Sequence, residues 1–268
     1  HEVASLALHV IKSDFIVIWD DNGISIDGEI DPWFEKDVLN RFKGYGFKVI
    51  ENVSGHDFDQ IRAALKDATS SNQPCFIQMK TIIGKGCKEV EGRSKAHGQP
   101  LSKDSIKQMR HDLQWPYAPF EIPQDMLDDW NMCSKGQNFY TEWKWPNQED
   151  LSKDLLNWAD HQPQEAYATR QLSSMVLKEV AKKMPHLIGG SADLQASNLT
   201  ALDDQGLING LNFQHQTIAF GVREFGMFAI ANGLALSGLI PYVATFLTFL
   251  DYGKNALRMA ALMKLRVV

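Results

Sequence analysis

A polar loop follows an apolar stretch near the start of the chain, and it contains candidate metal ligands. The stretch Phe15 to Trp19 precedes the residues DDNGISIDG at positions 20–28. Ligands of open parallel sheets bind at the carboxyl ends of strands. An Asn side chain and a nearby backbone carbonyl are oxygen donors of the kind that Mg²⁺ shares with a phosphate. The same residues also fit an ordinary Asn-Gly turn, so the spacing leaves both interpretations open.

A second candidate is the acid in GVREFGM, positions 221–227. Glu224 opens a predicted helix, and one interpretation is an acid that the helix macrodipole favours at this end. The other interpretation is a buried carboxyl that exchanges a hydrogen bond or a proton with a heterocycle. The spacing does not separate the two.

The elements that must position these residues alternate between helix and strand. Short β-branched runs between amphipathic helices indicate parallel strands with helices on their faces. In the first part of the chain the pattern predicts a helix ending near Lys12, a strand Phe15 to Trp19, a helix Trp33 to Lys43, a strand Phe47 to Ile50, a helix Asp57 to Ala68 and a strand Cys75 to Thr81.

A second alternation begins after a stretch of helices and Trp-Pro-rich segments from Ser102 to Gln164, which we interpret as a surface linker. The fold class predicted is α/β, with two units that each hold a parallel sheet with flanking helices and that each look incomplete. The elements expected in the second unit are helices Thr169 to Lys183, Glu224 to Leu236 and Phe249 to Lys264, and strands Leu187 to Gly190, Thr217 to Phe220 and Tyr242 to Thr245.

Composition excludes several classes of function. With 27 Lys and Arg against 33 Asp and Glu, the net charge of −6 argues against nucleic acid or an anionic membrane as the main partner. The richest apolar run, Ile240 to Leu250, is too short to span a membrane. Three cysteines without CxxC spacing indicate neither a disulfide framework nor a zinc site, so we expect a cytoplasmic protein. Because the chain starts within a helical pattern and stops where a strand begins, we also expect an internal piece of a longer protein.

Five separated motifs occur in the order found in the transketolase family, which the chain resembles in its bacterial type. They are DDNGISIDG, KTIIGKG followed by HGQPL, GGSADLQASNLT, GVREFGM, and PYVATFLTFLDY with its trailing RMAALMK. The resemblance implies two thiamine-diphosphate-binding folds. It places part of a diphosphate-binding domain at residues 1–110, a linker at 111–164 and part of a pyrimidine-binding domain at 165–268.

The resemblance implies thiamine diphosphate and Mg²⁺ (or Ca²⁺) as cofactors. Asn22 matches a side-chain metal ligand that also faces the diphosphate, and Ile24 matches a ligand that acts through its backbone carbonyl. Glu224 matches the catalytic glutamate that hydrogen-bonds the aminopyrimidine ring of the cofactor. The family's Gly-Asp-Gly motif, which begins the diphosphate and metal site, is expected just before His1 and is absent from the sequence.

The same resemblance assigns an aromatic pocket around the pyrimidine to Phe246, Phe249 and Tyr252, although their spacing also fits a helix face packed in the core. Asp193 lies in a segment that lines the cofactor pocket in the family, and a structural role is the alternative. We assign no chemical role to His56 and interpret it, together with Asp57, as a helix cap.

Three residues match the family's substrate contacts. His97 matches a catalytic histidine that touches both cofactor and substrate, and its alternative is a solvated surface residue. Arg170 and Ser197 match residues that grip the sugar phosphate, where a guanidinium offers bidentate donors. The segment Lys85 to Lys95 and Ala96, which stands where the family often has Ser, depart from common versions of the family.

The activity implied by the resemblance is transfer of a two-carbon ketol unit from a ketose phosphate to an aldose phosphate through a thiamine diphosphate carbanion, in the pentose phosphate pathway. The implied assembly is a homodimer with the active site between subunits, and the piece alone is expected to be inactive. Alternatives are dihydroxyacetone synthase, deoxyxylulose-phosphate synthase, which fits the ISIDG continuation poorly, and a catalytically dead interaction module.

Overall fold

The computed structural model forms two compact units. The first unit is Ile16–Lys144, and the second is His1–Phe15 together with Trp145–Val268. No helix in the described part of the chain is long and apolar enough to cross a membrane. The structure describes residues 2–11, 15–34, 37–132, 148–162, 165–202, 206–210 and 212–268, so the predicted helix end at Lys12 lies outside the described residues.

The first unit is built on a parallel sheet in the order β1-β5-β4, with β1 at Ile16–Asp21, β4 at Lys48–Ser54 and β5 at Cys75–Lys80. The central strand β5 is buried along all but its last residue, as expected for a central strand of a parallel sheet, and this buried stretch includes the polar Gln78. Since all three strands run in one direction, their carboxyl ends meet at one edge of the sheet. A short hairpin of β2 (Ile24–Ser25) and β3 (Gly28–Glu29) follows β1 at that edge.

Two helices pack on this sheet. In α3 (Phe58–Thr69), the Asp57 carboxylate caps the start by accepting hydrogen bonds from the backbone N–H groups of Asp59 and Gln60, at 2.9 and 3.2 Å. The other helix, α2 (Val38–Tyr45), begins later than the predicted start at Trp33. Trp33 instead lies in a turn, where its N–H donates to the Ile30 carbonyl at 3.1 Å, because the intervening Asp-Pro pair favours a turn.

The segment predicted as a linker contains further helices. In the first unit they are α4 (Lys103–Asp112), which Ser102 caps by accepting from the Ser105 N–H at 3.1 Å, and α5 (Gln124–Trp130). The helix of this segment that belongs to the second unit is α6 (Gln148–Asp160). Residues 133–147 and 163–164 of the predicted linker lie outside the described part of the chain.

The second unit contains a parallel pair of strands, β6 (Leu187–Ser191) and β7 (Ile240–Ala244), whose carboxyl ends are also aligned. The predicted strand Thr217 to Phe220 is wrong. Only Thr217 bridges the sheet, opposite Gly189, and Phe220 leaves the ladder to fill the core with a fully buried side chain.

Helices surround this pair: α7 (Thr169–Lys183), the short α8 (Gln195–Asn198), α9 (Glu224–Leu236) and α10 (Leu250–Leu262). Helices α9 and α10 approach closely because Gly253 has no side chain. A Cβ there would lie 2.3 Å from a ring carbon of Phe228. The buried Asn232 amide also joins the two helices, since it donates to the Ala256 carbonyl at 2.9 Å.

The first helix of the chain, α1 (Glu2–Val10), belongs to the second unit, where Leu6 joins the main hydrophobic core. The Arg223 guanidinium holds this helix by donating to the Glu2 carbonyl at 2.9 Å and to the Ser5 hydroxyl at 3.1 Å. Gly226 leaves room for it, because a Cβ there would lie 2.7 Å from Val3. The predicted domain bounds 1–110, 111–164 and 165–268 stay a prediction.

Candidate active site

The first group of predicted site residues lies at the carboxyl edge of the sheet in the first unit. Asn22 follows β1 directly, and its side-chain oxygen accepts a hydrogen bond from the Ile24 N–H at 2.9 Å. Gly23 between them has φ +72°, a conformation that glycine adopts without strain. The turn therefore fixes the Asn22 amide oxygen and leaves it capacity for a second partner.

The two aspartates before Asn22 already have structural partners, which the sequence pattern does not predict. Asp21 is 9% exposed, accepts from the Gln78 amide at 2.6 Å and pairs with Lys80. Asp20 accepts from the Thr81 hydroxyl. These contacts join the ends of β1 and β5. They also engage the two carboxylates, which are therefore less available as metal ligands. The described residues contain no group of three or more His, Cys, Asp or Glu that could hold a metal.

His56 does not cap a helix, so that prediction is wrong. Its Nε2 accepts a hydrogen bond from the Ile82 N–H at 2.8 Å, while Asp57 alone caps α3. This bond ties the end of β4 to the loop after β5. His97 lies later in that loop, exposed at the end of a short helical turn, Ser94–His97, that packs beside β2. The structure thus brings His97 to the neighbourhood of the Ile24 hairpin.

In the second unit, Glu224 lines a cavity of about 530 Å³, here called the Glu224 cavity. Glu224 is the first residue of α9 and is 8% exposed, so its carboxyl is largely removed from solvent. Three other predicted residues line the same cavity: Asp193, Phe249 and Tyr252. A buried acid beside aromatic rings is suited to hold a flat heterocycle by one polar contact.

The three predicted aromatic residues form a row of nearly parallel rings. The ring centroids of Phe246 and Phe249 lie 6.0 Å apart at 19°, and those of Phe249 and Tyr252 lie 6.4 Å apart at 25°. Phe246 is 40% exposed and Tyr252 is 68% exposed, which does not fit the core-packing alternative. The row therefore presents aromatic surface to the outside of the unit.

Phe246, the first ring of the row, lines a separate cavity of about 550 Å³ with Arg170 and Ser197, here called the Arg170 cavity. Arg170 lies on α7 and Ser197 on α8. A guanidinium among hydroxyl groups offers the charge-assisted donors that phosphate recognition requires. This wall also contains four polar residues to which the sequence pattern assigns no role: Ser173, Asn198, Thr200 and Thr245.

One segment connects both cavities of the second unit. The residues GGSADLQASNLT run from the end of β6 through α8, with Asp193 on the Glu224 cavity and Ser197 on the Arg170 cavity. Asp193 and Leu199 adopt φ of +58° and +56°, the left-handed region that non-glycine residues rarely occupy. Strained backbone of this kind is concentrated at functional sites.

Family models match the chain along its whole length. Residues 1–173 match the thiamine diphosphate binding domain of transketolase, and residues 165–268 match the pyrimidine binding domain of transketolase. The fold and the site therefore define a two-domain, thiamine-diphosphate-binding α/β protein. The chain belongs to the transketolase family. The predictions of the family, of the α/β fold and of thiamine diphosphate as the family's cofactor are confirmed.

Individual relatives agree with this assignment. The chain is 41% identical to a transketolase of Buchnera aphidicola subsp. Baizongia pistaciae over 293 residues, which cover 98% of this chain and 43% of that protein. The crystal structure of a transketolase from Campylobacter jejuni has a TM-score of 0.82 and 37% identity, over 99% of this chain and 43% of that one.

A transketolase from Pichia stipitis, crystallised with sedoheptulose 7-phosphate, has a TM-score of 0.80 and 31% identity, over 99% of this chain and 44% of that one. The chain therefore spans less than half the length of each of these three relatives.

Proposed function

We propose that the protein carrying this chain transfers a two-carbon ketol unit from a ketose phosphate to an aldose phosphate with thiamine diphosphate as cofactor, in the pentose phosphate pathway. One observation carries the proposal: a single segment, positions 189–200, lines both the cavity of the buried acid and the cavity of the arginine. A site for a heterocycle and a site for a phosphate are therefore built from one piece of chain.

The Glu224 cavity fits the aminopyrimidine ring of the cofactor. Apolar and aromatic side chains from Leu194, Val222 and Phe249 line it, and Glu224 supplies a buried carboxyl. A flat, largely apolar heterocycle with a ring nitrogen matches this combination in shape and in hydrogen bonding. When bound, thiamine diphosphate supplies the carbanion chemistry that side chains lack.

Glu224 then acts as the acid-base group of the protein. Its buried carboxyl would donate or accept a hydrogen bond at a ring nitrogen of the bound cofactor and would exchange a proton with that atom. Burial strengthens this bond, because electrostatic interactions grow as water is excluded. Phe249 and Tyr252 orient the ring and keep water from the carboxyl, while Asp193 shapes the cavity wall.

Asn22 and Ile24 would hold Mg²⁺ (or Ca²⁺) through the side-chain amide oxygen and the backbone carbonyl. The donor set fits a cation that is shared with a diphosphate, because Asp20 and Asp21 are engaged with Thr81 and Lys80 and the turn therefore offers neutral oxygens. Negative charge then comes from the diphosphate. His97, beside the same hairpin, is proposed to contact cofactor and substrate.

The Arg170 cavity is the proposed site of the sugar phosphate. Arg170 supplies a planar pair of donors and Ser197 supplies a hydroxyl, and both line the same wall. The complex of the Pichia stipitis relative with sedoheptulose 7-phosphate supports a phosphorylated ketose as the substrate class. The phosphate end would bind here, so that the binding energy orients the carbonyl end.

We also infer a homodimer with the active site between subunits. Exposed side chains at the two cavities support it: Val222 and Tyr252 at the Glu224 cavity are 72% and 68% exposed, and Leu247 at the Arg170 cavity is 85% exposed. Such surfaces are commonly covered by a partner. Light scattering of the purified protein should give a mass of twice one chain.

A cytoplasmic location is inferred because Cys75 and Cys87 are buried free thiols.

The proposal is tested by steady-state kinetics with sedoheptulose 7-phosphate and with sedoheptulose as donors, using an unphosphorylated aldose as acceptor. Arg170→Ala should lower kcat/KM for the phosphorylated donor. The decrease should correspond to a loss of roughly 1.5 to 3 kcal/mol in binding free energy, the cost of a lost charge-assisted hydrogen bond. Activity with sedoheptulose should change little, because that donor has no phosphate.

Lys182→Ala is the matched control. It removes a cation from the same helix, where Lys182 pairs with Glu179 at 3.3 Å, away from the Arg170 cavity. This variant should keep the activity of the parent protein with both donors. Equal losses for both donors in Arg170→Ala would refute the assignment of the cavity to the sugar phosphate.

A further inference from the structure

Two hydrogen bonds join three chain segments at the wall of the Arg170 cavity. The Ser191 hydroxyl, at the end of β6, donates to the Ala244 carbonyl at the end of β7 at 3.0 Å. The Asn198 amide, at the end of α8, donates to the same hydroxyl at 2.9 Å. Ser191 is only 5% exposed. Asn198 is therefore tied to the neighbouring strand through a buried hydroxyl.

The residues beside these anchors carry the proposed phosphate-binding groups. Ser197 directly precedes Asn198, while Phe246 follows Ala244 by two positions. Both Ser197 and Phe246 line the Arg170 cavity. The two hydrogen bonds therefore link the residue next to Ser197 to the strand end that precedes Phe246, in addition to the backbone bond from the Ala192 N–H to the Ala244 carbonyl at 3.0 Å.

The backbone hydrogen bonds within the segment that carries Ser197 span a single turn: the N–H groups of Ser197 and Asn198 donate to the Leu194 carbonyl at 2.9 and 2.8 Å. Helix α8, Gln195–Asn198, has four residues, and so short a helix is unstable without outside contacts. Leu199, which follows it, has φ +56° in the disfavoured left-handed region. The Asn198 amide is the side-chain contact at the junction between the helix and this residue, so it opposes relaxation of the strained backbone.

We propose that Asn198 is a positioning residue for the sugar-phosphate site. Through Ser191 it holds Ser197 at the wall of the Arg170 cavity, and its loss weakens binding of phosphorylated substrates without changing the chemical step. The inference rests on the proposed function of that cavity. It goes further by naming a residue whose own amide is engaged with protein and that acts through its neighbour.

Two substitutions remove the hydrogen bond in different ways. Asn198→Ala deletes the amide. Asn198→Asp keeps the shape but presents carboxylate oxygens, which cannot donate to a Ser191 hydroxyl that already donates to Ala244. Gln195→Ala is the matched control, because it changes a polar residue of the same short helix that does not line the Arg170 cavity.

The test compares these variants of the holoenzyme with sedoheptulose 7-phosphate and with sedoheptulose as donors. Both Asn198 variants should raise KM for the phosphorylated donor about fivefold to tenfold, the effect of one net hydrogen bond, with kcat within about twofold. KM for sedoheptulose should stay unchanged. Calorimetry of sedoheptulose 7-phosphate with the cofactor-free protein should show the same loss of affinity.

A double-mutant cycle tests whether the effect passes through the buried hydroxyl. Ser191→Ala should reproduce the raised KM, and the double variant with Asn198→Ala should lose no more than the more affected single variant, because both changes break one link. If Asn198→Ala is recovered unfolded, Ser191→Ala tests the same link, because it removes the hydroxyl that accepts the hydrogen bond from Asn198. Additive losses in the double variant would overturn the proposed link.

Arg170→Ala in the same assay separates failure of the inference from failure of the proposed function. If Arg170→Ala selectively weakens the phosphorylated donor and the Asn198 variants do not, the inference is wrong and the proposed function stands. If Arg170→Ala shows no selectivity, the proposed function of the cavity fails and the inference fails with it. Equal losses for both donors in the Asn198 variants would indicate a general structural role and would also overturn the inference.

Discussion

Replacement of Glu224 by Gln removes the proposed proton-exchanging group of the Glu224 cavity while it keeps the size of the side chain. Glu224 is the first residue of α9 and is 8% exposed. Gln can occupy the same space and can hydrogen-bond a ring nitrogen, but it cannot exchange a proton with it. The variant therefore separates acid-base chemistry from the shape of the cavity.

The expected loss of unfolding free energy in Glu224→Gln is smaller than the expected rise in the activation free energy of turnover. Loss of a carboxylate from a helix N-terminus costs about 0.3 to 1 kcal/mol, and up to about 2 kcal/mol where the group is partly buried. Loss of an acid-base group lowers turnover by about a hundredfold or more, which corresponds to at least roughly 2.7 kcal/mol in the activation free energy. The effect on turnover should therefore exceed the effect on stability.

The assay pairs steady-state ketol transfer with urea unfolding, and Asp251→Asn is the matched control. Asp251 lies in the first turn of α10, in the same unit, and does not line the Glu224 cavity. Its replacement should give a stability change of no more than about 1 kcal/mol and near-normal turnover. Near-normal turnover in folded Glu224→Gln, or equal losses of turnover in both variants, would refute the reasoning.

Other substitutions test the packing, the electrostatics and the metal site. Gly253→Ala should destabilise the protein by about 1 to 3 kcal/mol in urea unfolding, because its methyl group would lie 2.3 Å from a phenylalanine ring carbon. Gly233→Ala, with open space around the new methyl group, should not destabilise it. The hydrogen bond from Lys88 is the main cause that lowers the pKa of Asp112 from 3.8 to about 2. The stabilising contribution of this carboxylate is present above its ordinary pKa and is lost as pH falls through about 2, and Lys88→Met should raise its pKa in an NMR titration. An unchanged titration would contradict the ion pair. Asn22→Ala should raise the Mg²⁺ concentration for half-maximal activity by about tenfold or more, and an unchanged Mg²⁺ dependence would exclude Asn22 as a ligand.

Local sequence signals predicted the elements that depend on local interactions. The alternation of short strand-like runs with amphipathic helices predicted a strand at Cys75 to Thr81, and the structure places Cys75–Lys80 at the centre of its sheet. The predicted start of α3 was correct because the Asp57 carboxylate satisfies the first N–H groups of the helix within three residues. Such contacts lie within a few positions of one another, so a sequence pattern reveals them.

Signals that depend on distant residues were missed. The run Thr217 to Phe220 has the composition of a strand, but it forms isolated bridges at Thr217 alone, because pairing depends on how closely distant backbone segments approach. The contact of Asp21 with Lys80 joins residues far apart in sequence, and only the register of β1 against β5 brings them together. His56 is similar, because its acceptor role depends on where the loop after β5 passes.

The candidate site shows the same division. The motifs identified Glu224 and the aromatic residues, and the structure gathers Glu224, Phe249 and Tyr252 around one cavity. Asn198 lies within the motif GGSADLQASNLT, but the motif does not predict its proposed positioning role, because that role depends on the alignment of β6 with β7. A motif therefore indicates which segment contributes to the candidate site, while the fold determines which side chains of that segment make the contacts.

A crystal structure of the protein with thiamine diphosphate and Mg²⁺ tests the central claim most directly. We predict that the aminopyrimidine ring lies in the Glu224 cavity, flat against Phe249, with a ring nitrogen within hydrogen-bonding distance of the Glu224 carboxylate. A cofactor bound with its ring outside this cavity, or with no contact to Glu224, would contradict the account.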